Sequence, residues 1–379
     1  MPTNYRVLVF GEVGAQLPEP VVQAIEKFAS HFDLHLGDEI EIVDGSQATN
    51  EYVATVAVFL GHSPPPPFTA TWVERAGIPI IPIVSDIKQF NSEVPVALRH
   101  LNGVSLSSPS AAESIAAAIL ENLRLLPQQR RVFLSYVRKE ATTAALQLFS
   151  DLEARQFRVF IDTHGVRPGA KFQPELWHQL CDCDVMVMLD TESYFGRQWT
   201  REEFGKANLK KAAILRVAFP GVVAHASLSI TDSIDIEPAD LVDGRLTADA
   251  LDRIGDKIES LRSRSVATRN ANLIGSIRAA VTQLGGSILS AGAMRRVEMQ
   301  LPSGKRVLAY PAVGVPNATT LNEVALHAES KPAAIFYDRL GVREEWIDHL
   351  RWLGEHVPEV RWIQTFDAAW DLASWDAEP

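Results

Sequence analysis

The run RRVFLSY at residues 130–136, followed by an amphipathic stretch and then by FRVFI at 157–161, decides the fold. The apolar core of the first run reads as a strand over Val132–Tyr136. Residues Thr142 to Arg155 then read as a helix, and Arg158–Ile161 as a second strand. Strand, helix and strand in that order make a parallel pair, because the crossover helix carries the chain back to the same end of the sheet. Beyond a glycine-proline loop, DTHGVRPGA, the alternation continues with the helix QPELWHQLCD, the strand Val185–Leu189, the turn SYFGRQW with its helix, and the strand AAILRVAF. PADLVDG loops and a closing helix, LTADALDRIGDKIESLRS, complete the unit to about Ser265. This βα alternation predicts a flavodoxin-like α/β layer, a parallel sheet with helices on both faces.

The same alternation extends outward on both sides. Before Pro127 the strands YRVLVFG, YVATVAVFLG and IPIIPIV alternate with the helices EPVVQAIEKFASHF and SAAESIAAAILENLRLL, and SPPPPF at 63–68 is a stiff loop. After about Asn270 a helix NLIGSIRAAVTQLG leads into a hairpin, RRVEMQL and RVLAYPAV about Pro302-Ser303-Gly304. Two more strands, AAIFYD and RWIQTF, then alternate with helices. The expected organisation is therefore three α/β domains, at 1–127, 128–266 and 267–379. TWVERAGIPIIPIV at 71–84 echoes WTREEFGKANLKKAAILRVAF. That pattern fits the common look of any parallel α/β unit better than it fits the alternative, a degenerate copy of the middle domain.

Composition narrows the function. With 46% hydrophobic residues in 379 the chain reads as ordinary globular protein, and no apolar run approaches the roughly 18 residues a membrane span needs. The opening MPTNYRVLVFGEVG lacks the basic start and long apolar stretch of a signal peptide, so the expected compartment is the cytoplasm and no membrane is expected. A net charge of -11 argues against nucleic acid as a direct partner, and the short basic cluster RSRSVATR reads as an exposed helix end or linker. Cys181 and Cys183, the only cysteines, are too few for a structural zinc site and read as reduced packing residues; no metal-ligand spacing appears. GEVG at 11–14 and VGVPNATT at 313–320 are weak phosphate-cradle candidates.

Four ordered blocks in the middle domain are more specific: RVFLSYVRKE at 131–140, FRVFIDTHGVRPGAKF at 157–172, SYFGRQWTREEFGKA at 193–207, and the strand that follows. Their order and spacing resemble the TIR (Toll/interleukin-1 receptor) family over residues 130–265. The resemblance implies a flavodoxin-like TIR domain flanked by two further α/β domains. Many TIR domains cleave NAD+, and their essential glutamate lies in the helix after the Ser/Tyr turn. In this sequence that position is Glu203, four residues after Trp199 and so on the same helix face, with Glu202 as its neighbour to be distinguished. Breaking the nicotinamide-ribose bond passes through an oxocarbenium-like sugar. A carboxylate beside the ribose stabilises that charge, and because nicotinamide leaves as a neutral ring, no strong general acid is needed.

The resemblance also assigns the nucleotide pocket. Tyr136 and Arg138 match positions that line it, the guanidinium facing diphosphate, although Val137 stands where the family often has a second arginine. Val166, Gly169, Lys171 and Phe172 fall in the loop called BB, with Gly169 giving backbone freedom, Lys171 charge and Phe172 either an adenine shelf or a partner contact. Trp199 is read either as pocket wall or as core packing, Arg138 as phosphate ligand or solvated charge, and His164 as solvated.

Together these imply an NAD+ glycohydrolase that releases nicotinamide and ADP-ribose or a cyclic variant, with NAD+ as substrate and no cofactor. Activation is expected by self-association through TIR domains, with a small-molecule or protein trigger at the outer domains, and prokaryotic antiviral defence is the expected setting. The competing reading is a non-catalytic TIR scaffold acting by protein contact. A further one makes the outer domains binders of a nucleotide messenger, with the TIR unit as their output.

Overall fold

The computed structural model describes residues 5–46, 48, 54–108, 110–161, 172–225, 228, 231–292, 295–328 and 331–378; the side chains of Phe172, Gln198 and Trp199 lie outside that description. Two compact units divide the chain, Met1–Gln128 and Gln129–Pro379.

The first unit comprises β1 (Tyr5–Phe10), α1 (Glu19–Ser30), β2 (Ile40–Asp44), β3 (Ala54–Leu60), α2 (Thr71–Arg75), β4 (Ile80–Val84), α3 (Phe90–Glu93), β5 (Val104–Ser105) and α4 (Ala111–Asn122). The described strands pair in the order β2-β1-β3-β4-β5, every pair parallel. Helix α1 buries Val21, Ala24, Ile25, Phe28 and Ala29, one stripe at the three- and four-residue spacing of a helix face. The strand β2 was not expected; IEIVD is short and half-exposed, with two acids that mask its alternation.

The second unit opens with β6 (Arg130–Ser135), α5 (Arg138–Ala154), β7 (Phe157–Ile161), α6 (Phe172–Asp182), β8 (Val185–Asp190), α7 (Gln198–Leu209), β9 (Ala213–Ala218) and β10 (Asp232–Asp235). After a short hairpin of β11 (Leu241–Val242) and β12 (Arg245–Leu246) comes α8 (Ala248–Leu284). The sheet runs β10-β9-β8-β6-β7 and is parallel throughout, the expected flavodoxin-like α/β layout. Period-two alternation sorts its side chains. Val132, Leu134, Val185, Val187 and Leu189 pack towards α5 and α8. Phe133, Met186 and Met188 pack towards Leu176 and Leu180 of α6 and Phe204 of α7. Helix α5 begins at Arg138, one turn before the expected Thr142, because Ala141, Ala144, Ala145 and Leu148 extend its buried face.

Expected as two helices, residues 248–284 form one of 37 residues, roughly 55 Å long at 1.5 Å per residue. Thr247 caps its start by accepting from Ala250 N, and Gly285, with φ +85°, ends it in the left-handed conformation that glycine adopts freely. The polar run RSRSVATR is the middle of this helix and is buried except at Arg264 and Thr268. Arg262 has no exposed surface, Ser265 accepts from Ala213 N (3.1 Å), and Arg269 donates to the carbonyls of Cys183 (2.7 Å) and Cys181 (2.9 Å). Ser265 and Arg269 are polar because they satisfy main-chain groups, and Arg262 because it meets the buried carboxylate of Asp184.

The far half of α8 carries a second sheet. Its elements are β13 (Ser287–Ala291), β14 (Val297–Gln300), β15 (Arg306–Ala312), α9 (Ala318–His327), β16 (Ala333–Tyr337), α10 (Glu344–His356), β17 (Val360–Gln364) and α11 (Ala368–Asp376). The order is β13-β14-β15-β16-β17, antiparallel up to β15 and parallel beyond. Ile277, Ala280 and Val281 of α8 pack under it against Met299, Val307 and Phe336. The two sheets are further joined through α6, where Arg343 pairs with Glu175, and Gly341 (φ +80°) lies where an added Cβ would meet Cys181 Sγ and Trp177. Among the described residues no helix is long and apolar enough to cross a membrane.

Candidate active site at the carboxyl edge of the first α8 sheet

Strand β6 ends on Ser135, and β8 ends on Asp190 beside it, so both deliver side chains to the carboxyl edge of the sheet, where doubly wound folds build their sites. The turn that follows β8 is closed by Tyr194 N to Thr191 O (3.0 Å), Gly196 N to Ser193 O (3.1 Å) and Arg197 N to Tyr194 O (3.3 Å). Glu140, in the first turn of α5, holds it from the side by accepting from the Ser193 hydroxyl and from Ser193 N, and the Ser193 hydroxyl keeps the Glu140 carboxyl below its ordinary range. The buried Thr200 hydroxyl donates back to the carbonyls of Tyr194 and Arg197, which sets where α7 begins.

This turn and helix bring Tyr194 and Glu203 together over the end of β6. Ser135 Oγ lies 2.5 Å from Glu203 Oε2 and 2.7 Å from Tyr194 OH. A serine hydroxyl has one proton. When Ser135 gives it to the carboxylate, Tyr194 donates to Ser135, and the chain runs Tyr194 OH to Ser135 Oγ to Glu203. Burial first, and then the Glu203 carboxylate, push the Tyr194 hydroxyl well above its ordinary value, so the tyrosine remains a donor. Glu203 is 3% exposed, whereas Glu202 is half-buried on the neighbouring face of α7. Next to this chain Asp190 pairs with Arg216 of β9 at 2.6 Å; burial raises the Asp190 carboxyl in spite of that guanidinium. Phe195 stacks on His225 (centroids 4.5 Å apart) and meets Phe204 edge-on, closing the apolar side.

The remaining sequence-predicted residues fall in three places. Tyr136 is buried in the cluster between β6 and α5, with Leu134 and Ala141. Arg138 is exposed at the first position of α5. Trp199 lies in the first turn of α7 and Phe172 at the start of α6, their side chains outside the described residues, and Val166, Gly169 and Lys171, with His164, belong to the undescribed segment 162–171. The structure therefore brings Glu203 together with Ser135 and Tyr194, two residues to which sequence reasoning gave no role. Both stood in recognised blocks, the strand end FLSY and the turn SYFG, and their signal was position. Cys181 and Cys183 are buried free thiols, Cys181 pushed up to about 11 by burial, in keeping with packing. Among the described residues no group of three or more His, Cys, Asp or Glu is placed to hold a metal ion.

Residues 132–254 match the family model of the TIR domain. No curated protein matches the chain. Two solved structures align with 70% of it: tagatose-6-phosphate ketose/aldose isomerase from Escherichia coli, at 13% identity over 82% of that chain with a TM-score of 0.22, and the C-terminal domain of glucosamine-fructose-6-phosphate aminotransferase from Francisella tularensis, at 8% identity over 85% with a TM-score of 0.20. At those scores neither alignment bears on the site.

Proposed function

The chain carries a TIR domain at residues 132–254, and we propose that this domain is an NAD+ glycohydrolase with Glu203 as its catalytic carboxylate. The observation that supports this reading is the placement of Glu203 rather than Glu202 at the carboxyl edge of the sheet, anchored through one oxygen by Ser135 and Tyr194. A carboxylate fixed in that way needs no reorganisation to meet positive charge developing on a ribose, which is the contribution the reaction asks of it. Tyr194 and Ser135 are positioning residues in this reading; Arg138, Trp199 and the segment 162–171 with Phe172 would supply the nucleotide contacts. Self-association of TIR domains would complete the pocket, an outer-domain trigger would control it, and antiviral defence in the cytoplasm is the proposed setting.

A second reading, a non-catalytic TIR scaffold, is favoured by the depth of Glu203 and by the core position of Tyr136. In that case the Ser135-Glu203 bond ties α7 to β6 and does no chemistry. Nicotinamide release by concentrated purified protein separates the two. Glycohydrolase activity predicts release by wild type and Glu202→Ala and a loss of at least about a hundredfold in Glu203→Ala, the order expected for removing a preorganised electrostatic group. Ser135→Ala, which leaves the carboxylate in place but removes the Ser135 hydrogen bond to it, is expected to fall between. An inert wild type whose stability drops in Glu203→Ala would favour the scaffold.

A further inference from the structure

A cleft of about 180 Å³ opens where the C-terminal end of α7 meets the second sheet. Its floor is formed by the residues that follow three adjacent parallel strands: Val313 and Gly314 after β15, Asp338 after β16 and Thr365 after β17. Crevices outside the carboxyl ends of parallel strands are where open α/β sheets bind ligands. Its walls carry Lys210, Lys211 and Arg269 against a single carboxylate, Asp338, in a chain whose net charge is -11. Lys210 Nζ is 2.8 Å from Asp338; Lys211 Nζ donates to the neutral Asn272 Oδ1 (3.2 Å), and Arg269 donates to two main-chain carbonyls. The cleft therefore holds an excess of positive charge, part of it on a guanidinium that is nearly buried.

The backbone at Lys211 bears on which variant can test the cleft. Lys211 sits at φ +54°, the left-handed conformation that terminates α7 and that glycine adopts without cost. A lysine there is strained. Arg124 after α4 and Gln156 after α5 end their helices in the same conformation, so it is a way this chain stops helices; at α7 it falls on a residue of the cleft wall.

We propose that this cleft binds the phosphate group of a small phosphorylated metabolite. A phosphomonoester carries close to two negative charges at neutral pH, which matches the cationic excess, and its oxygens accept from ammonium and main-chain donors together. The volume lies below the roughly 300 Å³ at which sites for larger organic ligands begin, so a dinucleotide does not fit. Bound phosphate competes with Asp338 for Lys210, at the end of the helix whose earlier turns carry Glu203.

The test is thermal unfolding of the full chain against inorganic phosphate and ribose 5-phosphate, with sodium chloride holding ionic strength constant. Wild type and Lys88→Ala in the first unit should show a saturable rise in melting temperature, and Lys211→Gly a midpoint about tenfold weaker or more, the loss expected for one charged hydrogen bond. Because glycine relieves the strained turn, Lys211→Gly should fold at least as well as wild type, so lost binding is not lost structure. Tighter binding of ribose 5-phosphate than of inorganic phosphate identifies an ester ligand, and equal midpoints identify the free anion. No saturable shift, a shift reproduced by chloride alone, or equal midpoints in wild type and Lys211→Gly overturns the proposal. The readout is independent of NAD+ cleavage.

Discussion

Asp184 has no exposed surface, and three donors converge on it: the main-chain N–H of Arg131 (3.1 Å), Arg131 Nη2 (3.2 Å) and Arg262 Nε (3.2 Å). Burial pushes its carboxyl up, but the two guanidiniums outweigh burial and hold it below its ordinary value. A carboxylate with a depressed folded pKa contributes stability that is present above its unfolded value, near pH 4, and is lost as pH falls through the folded value. Acid unfolding monitored by circular dichroism should therefore steepen below about pH 4, and Asp184→Asn should remove that component. At neutral pH the same substitution removes the buried charge shared by Arg131 and Arg262, leaving them Asp182 and Glu259, and should cost about 3 kcal/mol, read as a shift in denaturant midpoint. An unchanged midpoint would mean that water or relaxation screens the cluster. At this scale the resemblance carried by the SYFGRQWTREEFGKA block pointed to Glu203, which the structure buries beside Ser135. Ser135 and Tyr194 were not assigned, since a serine at a strand end and a tyrosine in a turn have no local pattern that says what they touch.

At the scale of elements, α8 is the feature that a local reading mistook. Residues 262–272 are polar, and polar residues between two amphipathic stretches read as a linker; here they are polar because α8 crosses from one sheet to another and meets main-chain carbonyls and carboxylates on the way. Ala271, exposed in the middle of the helix, discriminates the two descriptions. In a continuous helix Ala271→Pro removes an internal hydrogen bond and should cost about 3 kcal/mol, while Ala271→Gly should cost about 1. Were a second helix to start at Asn270, proline at its first position would be almost neutral. Urea midpoints of the two variants decide the matter. Like β2, the strands β10 (DSID) and β13 (SILSA) escaped notice; all three lie at sheet edges and are largely half or wholly exposed, so burial leaves little periodicity in their sequences.

At the scale of the whole molecule, the first unit repeats the strand succession of the TIR sheet, β2-β1-β3-β4-β5 against β7-β6-β8-β9-β10, and its TWVER helix α2 follows β3 as α7 follows β8. The order is common to flavodoxin-like sheets in general. Glu74 of α2 is exposed and β1 ends on Phe10 where β6 ends on Ser135, so the arrangement that anchors Glu203 has no counterpart there. The second unit differs in kind, since its two sheets share one helix and one buried polar cluster. Asp182 accepts from Arg131 on one side and from Val315 N (2.8 Å) on the other, and Cys181 packs against Gly341. Cutting the chain after residue 266 would divide α8, remove Arg269 from the carbonyls of Cys181 and Cys183, and expose Trp177 and Cys181, each change leaving a buried polar group unpaired or apolar surface wet. Residues 129–379 should accordingly unfold in one calorimetric transition, and residues 129–266 should melt well below it or aggregate. A fragment 129–266 that melts at the temperature of the longer one would show that the TIR sheet stands without the shared helix, and the second sheet would then be an attachment rather than part of the same cooperative fold.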